Sequence, residues 1–263
     1  MKSVRYVLII VFFSTLASCV KEIPFDFGKN KKLIVIEALL NNVDSFSTVK
    51  ISETNQLSGD TVFPKISGAK INLKDLSSPR SVNFSETSAG IYKSTFFKGE
   101  EGHEYQISVQ IGDQLYSATC EMPLPILLDS LEFLDMSLFG GSGYHTLIDF
   151  QDSKGFKNYY RFIQKVNGVA DKYFYVFDDK FMDGKYQNLE LYKNEQIKLN
   201  DVVEVEMMCI DQAVYNYFYQ LSNLDATSGQ KSIAPANPTS NFSGGVLGYF
   251  SAYTSQTKKA IVQ

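Results

Sequence analysis

The sequence contains no tryptophan, only two histidines and only three cysteines among its 263 residues. The absence of tryptophan weakens a carbohydrate-binding interpretation, since tryptophan rings are common sugar platforms, although Tyr and Phe could replace them. No Gly-x-Ser-x-Gly elbow, His-Glu-x-x-His motif, phosphate loop or dinucleotide fingerprint occurs. Basic residues are not in excess either, because 29 acidic residues outnumber 25 Lys and Arg, which argues against nucleic-acid binding. These absences favour a non-enzymatic protein without a cofactor or bound metal.

The N-terminus has the pattern of a bacterial lipoprotein signal. Lys2 and Arg5 precede an apolar stretch that ends in Leu16-Ala17-Ser18-Cys19. The stretch is shorter than the roughly 20 residues that a membrane span needs. We therefore predict a signal peptide at 1–18 and lipidation of Cys19, where several acyl chains would hold the protein stably. An ordinary secreted protein with an incidental cysteine and a retained signal anchor are the alternatives.

Residues 19–31 are predicted to be a lipidated tether. No Asp follows Cys19 directly, so outer-membrane residence is expected, while the periplasmic and cell-surface faces both stay open. Removal of residues 1–18 takes away Lys2 and Arg5 and makes the mature chain more acidic than the full-length net charge of −4. This acidity argues against electrostatic binding to anionic lipid.

Short alternating apolar segments with turn residues between them predict a mainly β protein of two β-sandwiches. The N-terminal sandwich, at 32–122, is expected to be Ig-like or prealbumin-like, with a hairpin at Gly112-Asp113. The Met122–Pro125 segment resembles a linker because its two prolines favour extended backbone without ladder donors. A second sandwich is predicted at 126–263.

One helix is predicted near 211–224 within the second sandwich. Asp211 is a suitable N-cap, and the apolar residues that follow it repeat with helical spacing. These residues are Val214, Phe218, Leu221 and Leu224.

The histidines and cysteines have ordinary interpretations beside the functional ones. His103 could ligate a metal with Glu101 or Glu104, but an exposed turn residue is the better interpretation. His145 follows a glycine-rich loop and could lie near a site, or it could belong to a plain connector. Cys120 and Cys209 could pair in an oxidising compartment, but two small buried side chains in different domains are favoured.

The segment Asp178–Gly184 superficially resembles a calcium loop. Asp179, Asp183 and Gly184 fall at positions 1, 5 and 6 of such a loop. Phe181 occupies position 3, where an oxygen ligand is needed, and no glutamate stands at position 12. A polar hairpin turn is therefore the better interpretation.

Two aromatic clusters are candidates for a contact surface, because exposed aromatic side chains are common at binding interfaces. The alternative is burial of these rings between packed layers. The candidate residues are Tyr173 and Tyr175 in the first cluster and Tyr215, Tyr217 and Tyr219 in the second.

Two further triplets, Asp60-Thr61-Val62 and Asp129-Ser130-Leu131, resemble the O-glycosylation triplet that Bacteroidetes use on exported proteins. Thr61 and Ser130 are therefore candidate modification sites.

The order of several short motifs resembles that of the domain of unknown function 4249 lipoproteins of Bacteroidetes. The resemblance spans almost the whole mature chain, and it implies a partner, since genes of this family often lie beside those of TonB-dependent receptors. It implies no catalytic residues. The motifs are Cys19, Leu33–Glu37, Gly68–Ile71, Gly90–Tyr92, Gly102–Tyr105, Tyr116–Ala118, Met122–Pro125, Asn158–Arg161 and Gly244–Phe250.

The sequence therefore predicts a lipid-anchored accessory or ligand-capture protein of the outer membrane that works with a TonB-dependent receptor. The alternative is a structural or adhesion module of the cell surface. A hydrolase is a third and weaker hypothesis, because no catalytic constellation is apparent.

Overall fold

Strands dominate the computed structural model, which describes residues 32–55, 63–192, 197–226 and 236–263. The described strands are β1 (Ile34–Asn41), β2 (Thr48–Glu53), β3 (Lys70–Asp75), β4 (Ser81–Asn83), β5 (Ser85–Ser88), β6 (Ile91–Lys93), β7 (Glu104–Ile111), β8 (Gln114–Glu121), β9 (Leu128–Asp135), β10 (Tyr144–Gln151), β11 (Tyr159–Val166), β12 (Val169–Ala170), β13 (Tyr175–Asp178), β14 (Tyr186–Leu191), β15 (Val202–Ile210) and β16 (Leu247–Ile261). A 3-10 helix, Met136–Phe139, and one α-helix, α1 (Gln212–Ala226), complete the described elements. No helix among these residues is long and apolar enough to cross a membrane.

The strands form one large sheet and two small ones. The large sheet has the order β12-β11-β15-β16-β1-β2-β6-β5, with β13 also paired to β11. The small sheets have the orders β4-β3-β7-β8 and β14-β10-β9. Each small sheet packs against a different half of the large sheet. The unit Lys32–Gln263 therefore contains two sandwich-like packings, each with its own core.

Alternating side chains build the first core. In β1, Ile36, Ala38 and Leu40 point inward and are at most 1 % exposed. In β7, Ile107 and Val109 alternate in the same way and face them from the small sheet. The period of two that the sequence shows therefore corresponds to one buried and one outer face.

The second core lies between β9-β10-β14 and the other half of the large sheet. Phe150 and Phe162 meet there at a ring-centroid distance of 6.0 Å, and Val203 and Val205 of β15 close the core from the large sheet. Cys209 is buried in this core and Cys120 in the first, and both thiols are free. The expectation of two small buried side chains agrees with this placement.

Strand β16 belongs to both halves of the large sheet. Its first part pairs in parallel with β1, from Val35 opposite Leu247 to Asn41 opposite Tyr253. Its second part pairs antiparallel with β15, from Cys209 opposite Thr254 to Val202 opposite Ile261. The boundary between the domains expected at 32–122 and 126–263 stays a prediction. The structure adds that residues from both segments complete the first core.

Helix α1 confirms the predicted helix, one residue later at its start and two at its end. The Asp211 carboxylate accepts a hydrogen bond of 2.8 Å from the Val214 amide, as an N-cap does. Val214 and Phe218 are buried in the first core, and Leu221 packs against it. The side chain of Leu224 lies outside the described residues.

Candidate functional site

Three tyrosine rings form a stack on the surface where β11 meets α1. The ring centroids of Tyr159 and Tyr215 lie 5.1 Å apart, and those of Tyr215 and Tyr219 lie 5.7 Å apart. Tyr159 and Tyr215 are half-buried, whereas Tyr219 is 48 % exposed. We call these three residues the tyrosine ladder.

Helical spacing and core packing position the ladder. Tyr215 and Tyr219 are four residues apart, so they lie one above the other on the same face of α1. Phe218, on the neighbouring face, is anchored in the core, and the Arg161 guanidinium carbon lies 3.7 Å from its ring centroid. The ladder is therefore held by a fixed helix rather than by a loop.

The ladder can offer flat apolar faces and neutral hydroxyls to a partner. Burial raises the pKa of Tyr215 to about 12, and the nearby negative charge of Asp178 adds to the effect. The Tyr215 hydroxyl lies 3.5 Å from the Asp178 carboxylate. The phenol consequently stays protonated at neutral pH and can act as a hydrogen-bond donor.

The other predicted contact tyrosines have different positions. Tyr175 is only 3 % exposed, and its hydroxyl donates to Asp171 over 2.7 Å, so its inclusion in an exposed surface was wrong. Tyr217 is half-buried against Tyr249, and burial raises its pKa to about 12. Tyr173 is half-buried beside the second core. Of the five predicted residues, Tyr215 and Tyr219 form the stack.

Two loops, 152–158 and 179–185, adjoin the ladder and are bonded to each other. The Gly184 amide donates to Asp152 over 2.8 Å, and the Gly155 amide donates to Asp183 over 2.6 Å. The Asn158 amide donates to Asp179 over 2.8 Å. The carboxylates of one loop therefore hold the backbone of the other, and the two loops form a single rigid surface.

The segment 180–184 is a turn, but the predicted hairpin was wrong, because β13 pairs with β11 in the large sheet and β14 pairs with β10 in a small one. The structure also brings Asp152 to Asp179 and Asp183, with one carboxylate oxygen of each within 4.8 Å of the others. Ca²⁺ takes six to eight oxygen ligands, and these carboxylates already accept hydrogen bonds from backbone amides. The arrangement accounts for the loop structure without requiring a cation.

Replacement of Asp179 by asparagine is expected to stabilise the protein at neutral pH. Burial raises the pKa of Asp179, and the charges of Asp152 and Asp183 raise it further. A raised pKa means that the ionised carboxylate costs folding free energy above that pKa, and that the cost disappears as the pH falls through it. Asp179→Asn should therefore raise the melting temperature by about 2–4 °C at pH 7, a change of about 1 kcal/mol. The gain in melting temperature should vanish at acidic pH.

Calorimetry across pH 4 to 8 would measure this effect. Asp113→Asn, in an exposed hairpin turn, is the matched control and should change the melting temperature little at any pH. An equal loss of stability by Asp179→Asn at all pH values would contradict the electrostatic explanation.

His103 belongs to a charged network in the first sandwich rather than to a free turn. Its Nδ1 lies 3.0 Å from the carboxylate of Asp75, which is completely buried. Arg80 bonds the same carboxylate over 2.9 Å and also reaches Glu100 over 2.8 Å. Sequence reasoning missed Asp75 and Arg80 because only the pairing of β3 with β7 brings them to His103.

The remaining candidates lie apart from the ladder. His145 contacts Glu190 through Nδ1, and the half-buried Ser130 hydroxyl donates to Asp149 of the paired strand β10. Glycosylation of Ser130 stays a prediction, and it would require this hydrogen bond to break. Cys19 and Thr61 lie outside the described residues.

The family model described as "Domain of unknown function (DUF4249)" matches residues 20–259. Comparison with curated proteins gives no match. Among solved structures, a two-domain fibronectin type-III segment of chicken tenascin is 9 % identical, with 89 % of this chain and 99 % of that chain covered and a TM-score of 0.24. The adhesin InvE of Yersinia pseudotuberculosis is 12 % identical, with 69 % and 58 % covered and a TM-score of 0.22. These TM-scores are too low for either likeness to bear on function.

Proposed function

The chain belongs to the DUF4249 family, and on this premise we propose that it is a lipid-anchored, non-enzymatic binding protein of the outer membrane that works beside a TonB-dependent receptor. The tyrosine ladder carries the proposal. Three adjoining rings held by a helix and a strand, with Tyr219 48 % exposed, present an aromatic surface at low entropic cost, which suits protein or ligand contact. The lipobox at Cys19 supports the anchor, and the family resemblance supports the partner.

The state of the reactive side chains supports a role without catalysis. His103 and His145 are each paired with a carboxylate. Cys120 and Cys209 are buried, and desolvation raises the pKa of both thiols, so they are poor nucleophiles at neutral pH. Neither of these two thiols is therefore suited to nucleophilic attack at neutral pH.

Affinity purification of the tagged lipoprotein from membranes in mild detergent would test the partnership. We expect an outer-membrane receptor to co-purify, and Tyr219→Ala to reduce its recovery about tenfold or more, as loss of an interface aromatic does. Tyr192→Ala is the matched control, because Tyr192 is similarly exposed, at 59 %, but lies outside the ladder.

Two outcomes would count against the proposal. Recovery of no outer-membrane receptor with the wild-type protein would contradict the partnership. Binding to a host or matrix polymer, together with normal nutrient uptake after gene deletion, would instead support the structural or adhesion module.

A further inference from the structure

The two bonded loops beside the tyrosine ladder expose two phenylalanine side chains. Phe156 is 66 % exposed and Phe181 is 79 % exposed. The hydrogen bond between Gly155 and Asp183 brings the two loop tips together. Large apolar side chains clustered at a surface commonly mark a site of contact with another apolar phase or protein.

Lysines surround these phenylalanines. Lys154, Lys157, Lys180 and Lys185 are all exposed, and the Lys180 ammonium lies 5.4 Å from the centroid of the Phe181 ring. The Asp152 and Asp179 carboxylates are buried below the tips, and the exposed Asp183 accepts from the Gly155 amide. The two loops together carry four lysines and three aspartates, a net charge of +1, in a chain whose net charge is −4. We call loops 152–158 and 179–185 the Phe–Lys loops.

We propose that the Phe–Lys loops dock the protein on a lipid surface that carries negative charge. Phenylalanine rings enter the interface between headgroups and acyl chains, while lysine ammonium groups stay at the level of the phosphates. Each lysine near an anionic surface strengthens the attraction. This docking rests on the lipid anchor at Cys19 proposed above, which would hold the protein at a membrane surface.

The composition of the whole chain predicts that it avoids anionic lipid, whereas the lysines of the Phe–Lys loops favour contact with it. An acidic chain as a whole should avoid anionic lipid, but attraction is screened within about 10 Å at moderate ionic strength. A membrane surface in contact with the loop tips therefore meets the four exposed lysines and the exposed Asp183 rather than the acidic remainder of the chain. Docking would also bring the adjoining tyrosine ladder close to the membrane, within reach of a receptor embedded there.

Because the sequence contains no tryptophan, a single introduced tryptophan is the only source of indole fluorescence. We would reconstitute the lipidated mature protein carrying Phe181→Trp in vesicles of phosphatidylethanolamine and phosphatidylglycerol. Docking predicts blue-shifted emission and quenching by brominated lipid. Phe96→Trp is the matched control, because Phe96 is 95 % exposed and follows β6, outside the Phe–Lys loops. Similar emission of both reporters, without quenching, would overturn the proposal.

A second experiment measures vesicle binding by protein that lacks the lipid anchor. The unlipidated mature chain, with Cys19→Ser, should sediment with phosphatidylglycerol-containing vesicles and not with phosphatidylcholine vesicles, and high salt should release it. Lys157→Gln/Lys180→Gln and Phe156→Ser/Phe181→Ser should each weaken binding about tenfold or more. Lys70→Gln/Lys74→Gln, on exposed positions of β3, should leave it unchanged.

The outcomes separate this inference from the proposed function. Native protein without lipid on Cys19, shown by intact mass, would contradict the proposed anchor while leaving vesicle binding by the loops testable. Vesicle binding that is absent, or that the loop variants do not alter although they keep the wild-type melting temperature, would contradict docking while leaving the receptor partnership intact. Capture of an acidic protein by the loops, without vesicle binding, would also overturn docking.

Discussion

Replacement of Asp75 by alanine is expected to lower the free energy of unfolding by about 2–3 kcal/mol, because hydrogen bonds to a buried charged group contribute about that much. The Asp75 carboxylate has no exposed surface and bonds Arg80 and His103. It also accepts from the backbone amides of Ser77 and Ser78. Alanine would leave all of these groups without their partner at the end of β3.

Urea unfolding would measure this change, and its pH dependence gives a second test. Burial alone would raise the pKa of Asp75, but hydrogen bonds from His103, Ser78 and Arg80 outweigh it and hold that pKa well below its usual range. The stability that a lowered pKa contributes is present above the ordinary value of 3.8 and is lost as the pH falls below it. The difference in the free energy of unfolding between wild type and Asp75→Ala should therefore become smaller at acidic pH.

Glu100→Ala is the control from the same network. Glu100 reaches Arg80 from the solvent side, with 55 % of its side chain exposed, and exposed pairs contribute at most about 1 kcal/mol. Equal losses from Asp75→Ala and Glu100→Ala would show that burial of the carboxylate is not what makes the network important.

Substitution of Gly248 by alanine should also destabilise the protein, by about 2–5 kcal/mol from backbone strain and overpacking together. Gly248 has φ = 96°, and a Cβ atom there would lie 2.0 Å from the Ile36 carbonyl oxygen. That oxygen belongs to the paired strand β1, so the strands would have to separate. Thermal and urea unfolding would both report the loss.

Gly245→Ala distinguishes the cost of a left-handed backbone conformation from the cost of a steric clash. Gly245 also has a left-handed φ, 74°, but no atom lies within 4 Å of where its Cβ would be. Its substitution should cost only about 1–2 kcal/mol, the conformational penalty. If both variants lose the same amount, close approach of β1 and β16 is not what requires glycine at 248.

Local patterns were sufficient to predict the mainly β fold and the single helix. Alternation identified β1 and β7, Gly112-Asp113 identified the β7–β8 hairpin, and Asp211 identified the start of α1. The parallel pairing of β1 with β16 could not be predicted, because the partners lie about two hundred residues apart and no local signal specifies register at that distance.

The candidate site was predicted in part. Aromatic content marked Tyr215 and Tyr219, but the stack requires Tyr159, which comes from a strand 56 residues earlier than Tyr215. Tyr175 was assigned to the surface because alternation alone does not say which face of a strand is covered. The Phe–Lys loops were missed for a similar reason, since the bond between Gly155 and Asp183 exists only once both loops are in place.

The position of β16 has a consequence for the time course of folding. Strand β16, the last described strand in the chain, lies between β1 and β15 in the large sheet. Neither half of that sheet can complete its hydrogen bonding until these residues are available, and such distant contacts make folding slow. In the export across a membrane that the proposed signal peptide implies, this delay would keep the earlier strands unpaired until their final neighbour arrives.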